Sequence, residues 1–317
     1  MARISVVIPA YNAARFLERT VASVLSQTVT DLEVVIVDDG SSDDTFAIAR
    51  ALCVKDDRVR AFTKPNGGVA SARNYGVACS NATSEFVAFI DADDLYEPDA
   101  LETLSSALGA NPAAVAAHGL ARFIDESDRR IREGQAEDWG RNRRRVEGWR
   151  STESSPEAPT TLAVLAHWNS IHTPGQVLIR RSALAAVGES DPALKIAQDY
   201  DLWLRLACRG DFVFVNRALL NYRVLSTGLS SNASKRYDED WRVRRALLGA
   251  PGLTREQRRD CAVAILQAPL ALRLGYVRSA LAEGRLGQAL SNVKPLLGAY
   301  ARIALALPAL VKPSALR

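Results

Sequence analysis

Short apolar runs alternate with amphipathic stretches along the first hundred residues of the chain. Three of these runs are rich in β-branched or aromatic residues and predict buried strands at 3–8, 33–37 and 85–90. Between the first two runs, Leu17 and Val21 begin an apolar stripe at helical spacing. Strands that alternate with helices in this way predict an α/β fold with a mostly parallel sheet.

Helix starts are predicted where a capping residue or a proline follows a strand. Asn12 has a capping side chain, as have Asp43 and Asp44 before the next helix. Pro98 suits the first turn of a later helix. Residues 125–160 are rich in Arg, Glu and Asp and predict a long solvated loop or a partly ordered flap. Regular elements resume after this segment, with strands at 176–180, 212–215 and 219–223 and helices at 182–187 and 199–208.

In an open α/β sheet, ligands bind beyond the carboxyl ends of the strands. This rule selects three segments, which are Pro9–Asn12, Asp38–Ser42 and Asp91–Asp94. Each of them carries polar or acidic residues directly after a predicted strand. We therefore expect the chemistry of the chain at these segments.

Adjacent carboxylates, Asp38 and Asp39, end the second predicted strand and precede a glycine turn. A carboxylate at this place can accept hydrogen bonds from the N–H of a nucleobase or from ribose hydroxyls. The alternative is structural, with one aspartate capping the next helix and the other solvated. The pair alone leaves both interpretations open.

A glycine pair, Gly67-Gly68, leads into a helix whose first turns carry Arg73 and Asn74. Glycine-rich turns and helix N-termini suit anionic phosphate groups, because their N–H groups point outward. An ordinary loop followed by a surface arginine has the same pattern. The motif indicates phosphate binding only together with other motifs.

The second acidic motif is Asp91-Ala92-Asp93, directly after a strand. In an extended chain the two carboxylates point to the same side. Mg²⁺ is commonly bound by one or two carboxylates together with substrate phosphates. The motif therefore favours a metal–diphosphate site, although Asp93 or Asp94 could instead cap the helix that begins near Pro98.

Asp199 lies in the first turn of a predicted amphipathic helix, in the sequence Gln198-Asp199-Tyr200-Asp201. An acid at this position stabilises a helix through the dipole at its N-terminus. The same carboxylate, if aimed into a cleft, can act as a general base. The pattern alone does not choose between these roles.

The order and spacing of these motifs resemble those of the family 2 glycosyltransferases. The resemblance covers about residues 3–230 and rests on five segments: 5–12 (SVVIPAYN), 34–45 (VVIVDDGSSDDT), 66–76 (NGGVASARNYG), 89–101 (FIDADDLYEPDAL) and 198–207 (QDYDLWLRLA). It implies a GT-A fold, Rossmann-like with a mostly parallel sheet flanked by helices. It also implies a catalytic domain at 1–230 and a helical C-terminal region at 231–317.

The resemblance also implies roles for individual residues. A nucleotide pocket would be bordered by Pro9, Tyr11 and Asn12. The base would bind Asp39 with support from Asp38, while Arg73 would contact the base or the phosphates. The last three implied roles are the ribose or metal shell for Asp91, the divalent cation (Mn²⁺ or Mg²⁺) for Asp93, and the catalytic base for Asp199.

Two positions depart from the family pattern. Gln198 occupies the place before the base where relatives often have Glu, and its side chain can still orient by hydrogen bonding. Leu225 occupies a place where many relatives have His, so a metal ligand or phosphate contact of those relatives is absent. The second departure weakens the expectation of tight metal binding.

The implied reaction transfers a sugar from a nucleoside diphosphate sugar to an acceptor hydroxyl, with inversion, in surface polysaccharide or glycolipid synthesis. The acceptor would be a glycan or a lipid-linked molecule. One alternative is a sugar nucleotidyltransferase, which normally has a glycine-rich loop where this chain has Pro9-Ala10-Tyr11-Asn12. The other is a non-catalytic protein that binds nucleotide sugars.

Net charge, cysteine spacing and the length of apolar runs argue against several other classes of protein. The chain has 317 residues and a net charge of +4, too small a charge to suggest a nucleic-acid partner. The four cysteines form no C-x-x-C pair, which argues against a zinc or redox motif. We expect no signal peptide at the N-terminus. We also expect no membrane-spanning helix, because no apolar run reaches about 18 residues. These features favour a cytoplasmic protein.

The segment after residue 236 is predicted to be helical, with arginine-rich and apolar faces. Such helices can lie on an anionic membrane surface, which would place the protein at the inner face of the membrane. The apolar stretches 262–266 and 303–307 can equally pack on the catalytic domain or on a second copy of the chain. The packing role is the favoured expectation.

Overall fold

In the computed structural model, the described residues are 3–147, 150–225, 233–247, 249–250, 252–265, 281, 284 and 286–287. The first part of the chain alternates strands and helices in this order: β1 (Ile4–Ala10), α1 (Leu17–Leu25), β2 (Leu32–Asp38), α2 (Thr45–Lys55), β3 (Val59–Thr63), α3 (Val69–Cys79), β4 (Phe86–Phe89), β5 (Leu95–Tyr96), α4 (Ala100–Ala110) and β6 (Ala116–Ile124). The predicted βαβ pattern is confirmed.

The second part of the chain begins with a short helix and a hairpin. Its elements are α5 (Gln135–Arg141), β7 (Arg144–Glu147), β8 (Arg150–Glu153), α6 (Leu162–His167), a 3₁₀ turn (Pro174–Gln176), β9 (Val177–Arg180), α7 (Arg181–Val187), α8 (Gln198–Ala207), β10 (Phe212–Arg223) and α9 (Ala233–Leu247). Residues 255–265 are also helical.

One eight-stranded sheet organises the fold, in the order β3-β2-β1-β4-β9-β6-β10-β5. The pairings β3–β2, β2–β1, β1–β4 and β6–β10 are parallel, whereas β9 and β5 run against their neighbours. The sheet is therefore mostly parallel, as predicted. The carboxyl ends of β1, β2 and β4 lie side by side at one edge.

The two faces of the sheet belong to two hydrophobic clusters. Along β1, Val7 packs in one cluster while Val6 and Ile8 pack in the other. This alternation follows from the two-residue repeat of a strand. Helices cover both faces, so the strands are buried on both sides and their sequences are continuously apolar.

Of the two alternatives expected for residues 125–160, the long solvated loop was wrong, because the segment contains regular elements. This segment contains α5 and the β7–β8 hairpin, and Arg143, which lies between them in the chain, is buried. Arg143 lies 3.6 Å from the centre of the Phe214 ring and donates hydrogen bonds to the carbonyls of Ala158 and Ser155. The charged composition suggested exposure to solvent, whereas Arg143 is a charged residue that is buried.

Two further expectations need correction. Asn12 does not cap α1, which begins at Leu17; its φ of 48° instead turns the chain after β1. The two strands predicted at 212–215 and 219–223 form one strand, β10, with register shifts against β6 between Phe214 and Leu220.

Several described residues after position 230 pack against the first 230 residues of the chain. Val243, Leu247, Cys261, Val263 and Ile265 are buried in the same cluster as the side chains of α8. The predicted packing role is therefore observed for residues 263–265, whereas residue 266 and the stretch 303–307 lie outside the described residues. Among the described helices, none is long and apolar enough to cross a membrane.

Candidate functional site

The three segments selected by the strand-end rule meet at one edge of the sheet. Ala10 at the end of β1 is paired with Asp38 at the end of β2. On the other side of β1, the amide of Ile90 donates to the carbonyl of Val7. The loops that carry Asn12, Asp39 and Asp91 are therefore neighbours, because their strands are consecutive in the sheet order.

Asp39 holds the glycine turn that precedes α3. Its carboxylate accepts hydrogen bonds from the amides of Gly67 at 3.0 Å and Gly68 at 2.7 Å, and Lys64 Nζ lies 2.6 Å away. Gly68 has a φ of 88°, a conformation that favours glycine. Asp39 is only 3% exposed, so a nucleobase reaches its carboxylate only after the turn moves.

The other predicted nucleotide-binding residues surround Asp39. Asp38 is buried and accepts hydrogen bonds from Thr63 Oγ1 and from the amide of Ser41. The side chain of Asn12 accepts a hydrogen bond from the amide of Ser42, which ties the loop after β1 to the loop after β2. Two predicted pocket residues precede Asn12: Pro9 is a buried member of β1, and Tyr11 is 56% exposed.

Arg73 is buried on the first turns of α3 and reaches the end of β4. Its Nη2 lies 2.6 Å from Asp91 Oδ1, and its Nε has no hydrogen-bond partner among the described residues. A buried N–H group without a partner is energetically costly, and a bound acceptor relieves that cost. Helix α3 therefore places the guanidinium of Arg73 beside Asp91.

The acidic motif forms a turn after β4, so the expectation of an extended chain was wrong. Asp91 and Asp93 still interact. Burial and the Asp91 charge together raise the pKa of Asp93 to about 6. Asp94 is fully buried, and this burial, followed by the charges of Asp93 and Asp91, raises its pKa well above the usual value. Neither Asp93 nor Asp94 caps α4, because the residue before that helix is Asp99.

Arg223 anchors this turn, a role that the sequence motifs did not predict. Its amide donates to Asp94 Oδ1 at 2.9 Å, and its Nε donates to the carbonyl of Asp93 at 2.7 Å. The side chain is fully buried and pairs with Asp128 at 2.5 Å. The only available signal was its place after Tyr222, at the end of the last strand.

Asp199 lies in the first turn of α8, where its carboxylate accepts a hydrogen bond from the amide of Tyr200. Burial is the main cause that raises its pKa to about 6, and the cation of Arg73 opposes this rise. Asp91 adds a smaller repulsion in the same direction as burial. These interactions place Asp199 close to Arg73 and Asp91.

The donor set at this edge suits a divalent cation that is completed by substrate. Among the described residues, no group of three His, Cys, Asp or Glu side chains is arranged to hold a metal ion. Asp91 and Asp93 supply two carboxylates that repel each other, and Mg²⁺ often takes only one or two carboxylates plus phosphate oxygens. The residues present fit a cation of this kind.

The arrangement combines three capabilities in one cleft. It offers carboxylates for a cation, a buried guanidinium for an anion, and a carboxylate whose pKa near 6 leaves it ionised at neutral pH but basic enough to accept a proton. Perturbed pKa values that gather in a cleft are typical of catalytic sites.

Comparison with known proteins gives a family and a set of relatives. The model of the family "Glycosyl transferase family 2" matches residues 5–188. A chondroitin synthase of Pasteurella multocida (strain Pm70) is 35% identical over 222 residues, and a hyaluronan synthase of Pasteurella multocida is equally similar. These matches cover 70% of this chain but only 20% of each synthase. The chain thus spans about a fifth of their length.

Solved structures share the fold. A mannosyltransferase from Pyrobaculum calidifontis, in complex with GDP-Man and Mn²⁺, superposes with a TM-score of 0.62 at 19% identity, covering 96% of this chain and 80% of that one. Staphylococcus aureus TarS 1–349 in complex with UDP-GlcNAc gives a TM-score of 0.58 at 16% identity, covering 95% and 92%. At these identities the likeness establishes the GT-A fold.

Proposed function

The chain belongs to glycosyl transferase family 2, and from this premise we propose that it transfers a sugar from a nucleoside diphosphate sugar to an acceptor hydroxyl, with inversion at the anomeric carbon. The observation that carries the proposal is Asp199, a half-buried carboxylate that shares its cleft with Arg73 and Asp91 and has a pKa of about 6.

The donor nucleotide would bind at the ends of β1 and β2. Asp39 would accept a hydrogen bond from the base once the Gly67-Gly68 turn moves, and Asp38 would hold the loop in place. Pro9, Tyr11 and Asn12 would form the adjoining wall. Arg73 would turn its unsatisfied Nε to a phosphate or base oxygen, which gives this buried N–H the partner that it lacks.

The sugar diphosphate would extend toward Asp91 and Asp93. A divalent cation there, Mn²⁺ or Mg²⁺, would neutralise the charge of the departing diphosphate as a Lewis acid. The chain's own part is to keep both carboxylates in place, and Arg223 does so by binding the Asp93 carbonyl and the Asp94 carboxylate. Support comes from the mutual repulsion of Asp91 and Asp93, which a cation would relieve.

Asp199 would remove the proton from the acceptor hydroxyl as its oxygen bonds to the anomeric carbon. The bond from that carbon to the diphosphate breaks on the opposite face, so the configuration inverts. The diphosphate leaves with the electron pair and needs no proton, and one base is therefore enough. A general base of this type contributes about 10²–10⁴ in rate.

The acceptor proposed here is a glycan, free or lipid-linked, in the synthesis of a surface polysaccharide or glycolipid. The similarity to two polysaccharide synthases supports this class of acceptor. A sugar nucleotidyltransferase is less well supported, because the loop after β1 has no glycine-rich sequence. A non-catalytic nucleotide-sugar binder would have no use for a carboxylate with the raised pKa of Asp199.

The test is turnover of a panel of nucleotide sugars with Mn²⁺, with a glycan acceptor mixture and without it. We expect release of nucleoside diphosphate, its loss in EDTA and its recovery with Mn²⁺ or Mg²⁺. Asp199→Asn should lower the rate about 10²-fold or more while donor binding is kept. A matched control is Asp57→Asn, an exposed aspartate at the opposite edge of the sheet.

Three outcomes would each contradict a different part of the proposal. Donor binding without turnover of any nucleotide sugar would favour the non-catalytic alternative. Wild-type turnover by Asp199→Asn would remove the assigned base. Full activity in EDTA would remove the metal, an outcome that Leu225 in place of the relatives' histidine makes worth testing.

A further inference from the structure

Helix α9 lies against α8, although it is outside residues 5–188 that the family model matches. Its Glu239 accepts hydrogen bonds from three consecutive backbone amides at the entry to α8. These are the amides of Lys195 at 3.1 Å, Ile196 at 2.8 Å and Ala197 at 3.0 Å. Asp199 follows two residues after the last of these amides.

Three successive amides that converge on one carboxylate form an anion-binding concavity of the backbone. Hydrogen bonds to an ionised acceptor are shorter and about twice as strong as neutral ones. Residue Ala197, at the N-cap position of α8, has no side chain able to accept a hydrogen bond, so the entry to this helix lacks a local cap. Glu239, from another helix, accepts instead from the three amides that lead up to and include this N-cap residue.

A second contact joins the same two helices on the other side of Asp199. Arg244 Nε donates to the hydroxyl of Tyr200 at 2.7 Å, and that hydroxyl donates to the carbonyl of Leu165 at 2.7 Å. The guanidinium also lies 5.3 Å from the centre of the Tyr200 ring. Both Arg244 and Tyr200 are buried. Helix α9 therefore holds the chain immediately before and immediately after Asp199.

We propose that Glu239 is a positioning residue for Asp199, so that the region after residue 230 completes the catalytic site. By fixing the backbone at Lys195–Ala197, Glu239 sets where the first turn of α8 places the carboxylate of Asp199. A displacement of about 1 Å at a reacting group can cost about 10²-fold in rate. The inference rests on the proposed role of Asp199 as the base.

The neighbouring charge supports this arrangement. Asp240, the next residue of α9, is one of the groups that raise the pKa of Asp199, together with burial and Asp91. Loss of the Glu239 contacts leaves Asp240 in place but would admit water to Asp199. The weaker desolvation would lower the pKa of Asp199 toward its usual value.

The experiment compares Glu239→Ala and Glu239→Gln with the wild-type protein and with the control Glu256→Ala. Glu256 is an exposed glutamate of the helical segment 255–265, and its side chain is 79% exposed. With the donor that the wild-type protein turns over, we expect Glu239→Ala to lower kcat tenfold or more and to leave the donor KM within twofold. Glu239→Gln keeps an acceptor oxygen and should recover part of the lost kcat.

The pH dependence separates positioning from a purely structural role. In Glu239→Ala the acid limb of the kcat profile should move below pH 6. A ¹³C NMR titration of the Asp199 carboxylate, assigned with Asp199→Asn, should show the same fall in pKa without any donor present. A protein that is only less stable would lose melting temperature and active fraction but keep the pKa of its folded fraction.

Each result decides one proposal. If Glu239→Ala keeps the wild-type kcat, or if the Asp199 pKa is unchanged, the positioning role is overturned, even where Asp199→Asn confirms the base. If the wild-type protein turns over no nucleotide sugar, the proposed function fails. The NMR titration still tests the contact between Glu239 and the entry to α8 in that case.

Discussion

The carboxylates of the site are held in two electrostatic states. Asp39 and Asp91 are paired with cations, Lys64 and Arg73 respectively. By contrast, Asp93, Asp94 and Asp199 are desolvated next to other acids, and their pKa values are raised. The ion pairs hold Asp39 and Asp91 in place, whereas the raised pKa values suit Asp93 to share a cation and Asp199 to accept a proton.

Asp199 gives a prediction on stability. Its pKa rises from 3.8 to about 6 on folding, so the folded protein takes up a proton below pH 6 that the unfolded chain takes up only near pH 4. The charged form therefore destabilises the fold above pH 6, and this cost disappears as the pH falls. Asp199→Asn should raise the free energy of unfolding by about 1–2 kcal/mol at pH 8 and by about a third of that amount at pH 4.5.

Denaturant unfolding at the two pH values measures this difference. The control Asp57→Asn changes an exposed carboxylate and should be neutral at both. A destabilised Asp199→Asn at pH 8 would mean that the carboxylate makes contacts stronger than its desolvation, and the raised pKa would be refuted.

Sequence motifs located the acids of the site but not the residues that hold them. Asp39 and Asp91 follow strands, a position that the α/β rule selects directly. Arg223 and Glu239 act on segments more than 40 residues away in the chain, so no local pattern could connect them with their partners. The pKa of Asp199 likewise depends on burial by elements distant in sequence.

At the scale of elements, a close contact sets where α3 lies on the sheet. Gly76 in this helix faces β1, and a Cβ at this position would overlap the Cγ1 methyl of Val7 and lie 3.2 Å from Cγ2 of Val37. The absence of a side chain lets α3 approach the strands closely. Since α3 also carries Arg73, its distance from the sheet sets the position of this cation beside Asp91.

Gly76→Ala should therefore destabilise the fold by about 1–3 kcal/mol through overpacking, despite the better helix propensity of alanine. The matched control is Gly109→Ala in α4, where no atom lies within 4 Å of the added Cβ. That control should be neutral or stabilising by up to about 1 kcal/mol. Thermal and urea unfolding measure both variants, and equal effects in the two would contradict the close contact of α3.

The elements that the sequence predicts correctly are those for which hydrophobic burial alone determines the residue pattern. The strands β1, β2 and β4 are buried on both faces, so their sequences are plain apolar runs. The central strand β6 was missed because its sequence, Ala116–Ile124, mixes small and polar residues such as His118 that are buried by neighbours. The bulge in β10 and the buried position of Arg143 beside Phe214 were not predicted, because both depend on contacts between residues distant in the sequence.

At the scale of the whole molecule, the catalytic part and the described C-terminal helices share a hydrophobic cluster. Trp203 of α8 and Ile265 of the segment 255–265 both belong to it. The boundary at residue 230 stays a prediction about domains, and so does contact with a membrane surface. Arg242 and Arg245 are exposed on α9 and remain available for such contact, whereas Arg244 is committed to Tyr200.

A shared cluster predicts one cooperative unfolding transition for the two regions. Ile265→Ala removes a buried side chain that is 4% exposed, and a change of this kind costs about 2–4 kcal/mol. Because the lost contacts lie in the cluster that surrounds α8, the midpoint should fall equally for tryptophan fluorescence and for retention of a bound nucleoside diphosphate with Mn²⁺. Val54→Ala, at a site 89% exposed, is the control and should leave both midpoints within about 0.5 kcal/mol of wild type. Two separated transitions, with only one of them sensitive to Ile265→Ala, would show that the C-terminal region folds independently and would remove the structural basis for its action on Asp199.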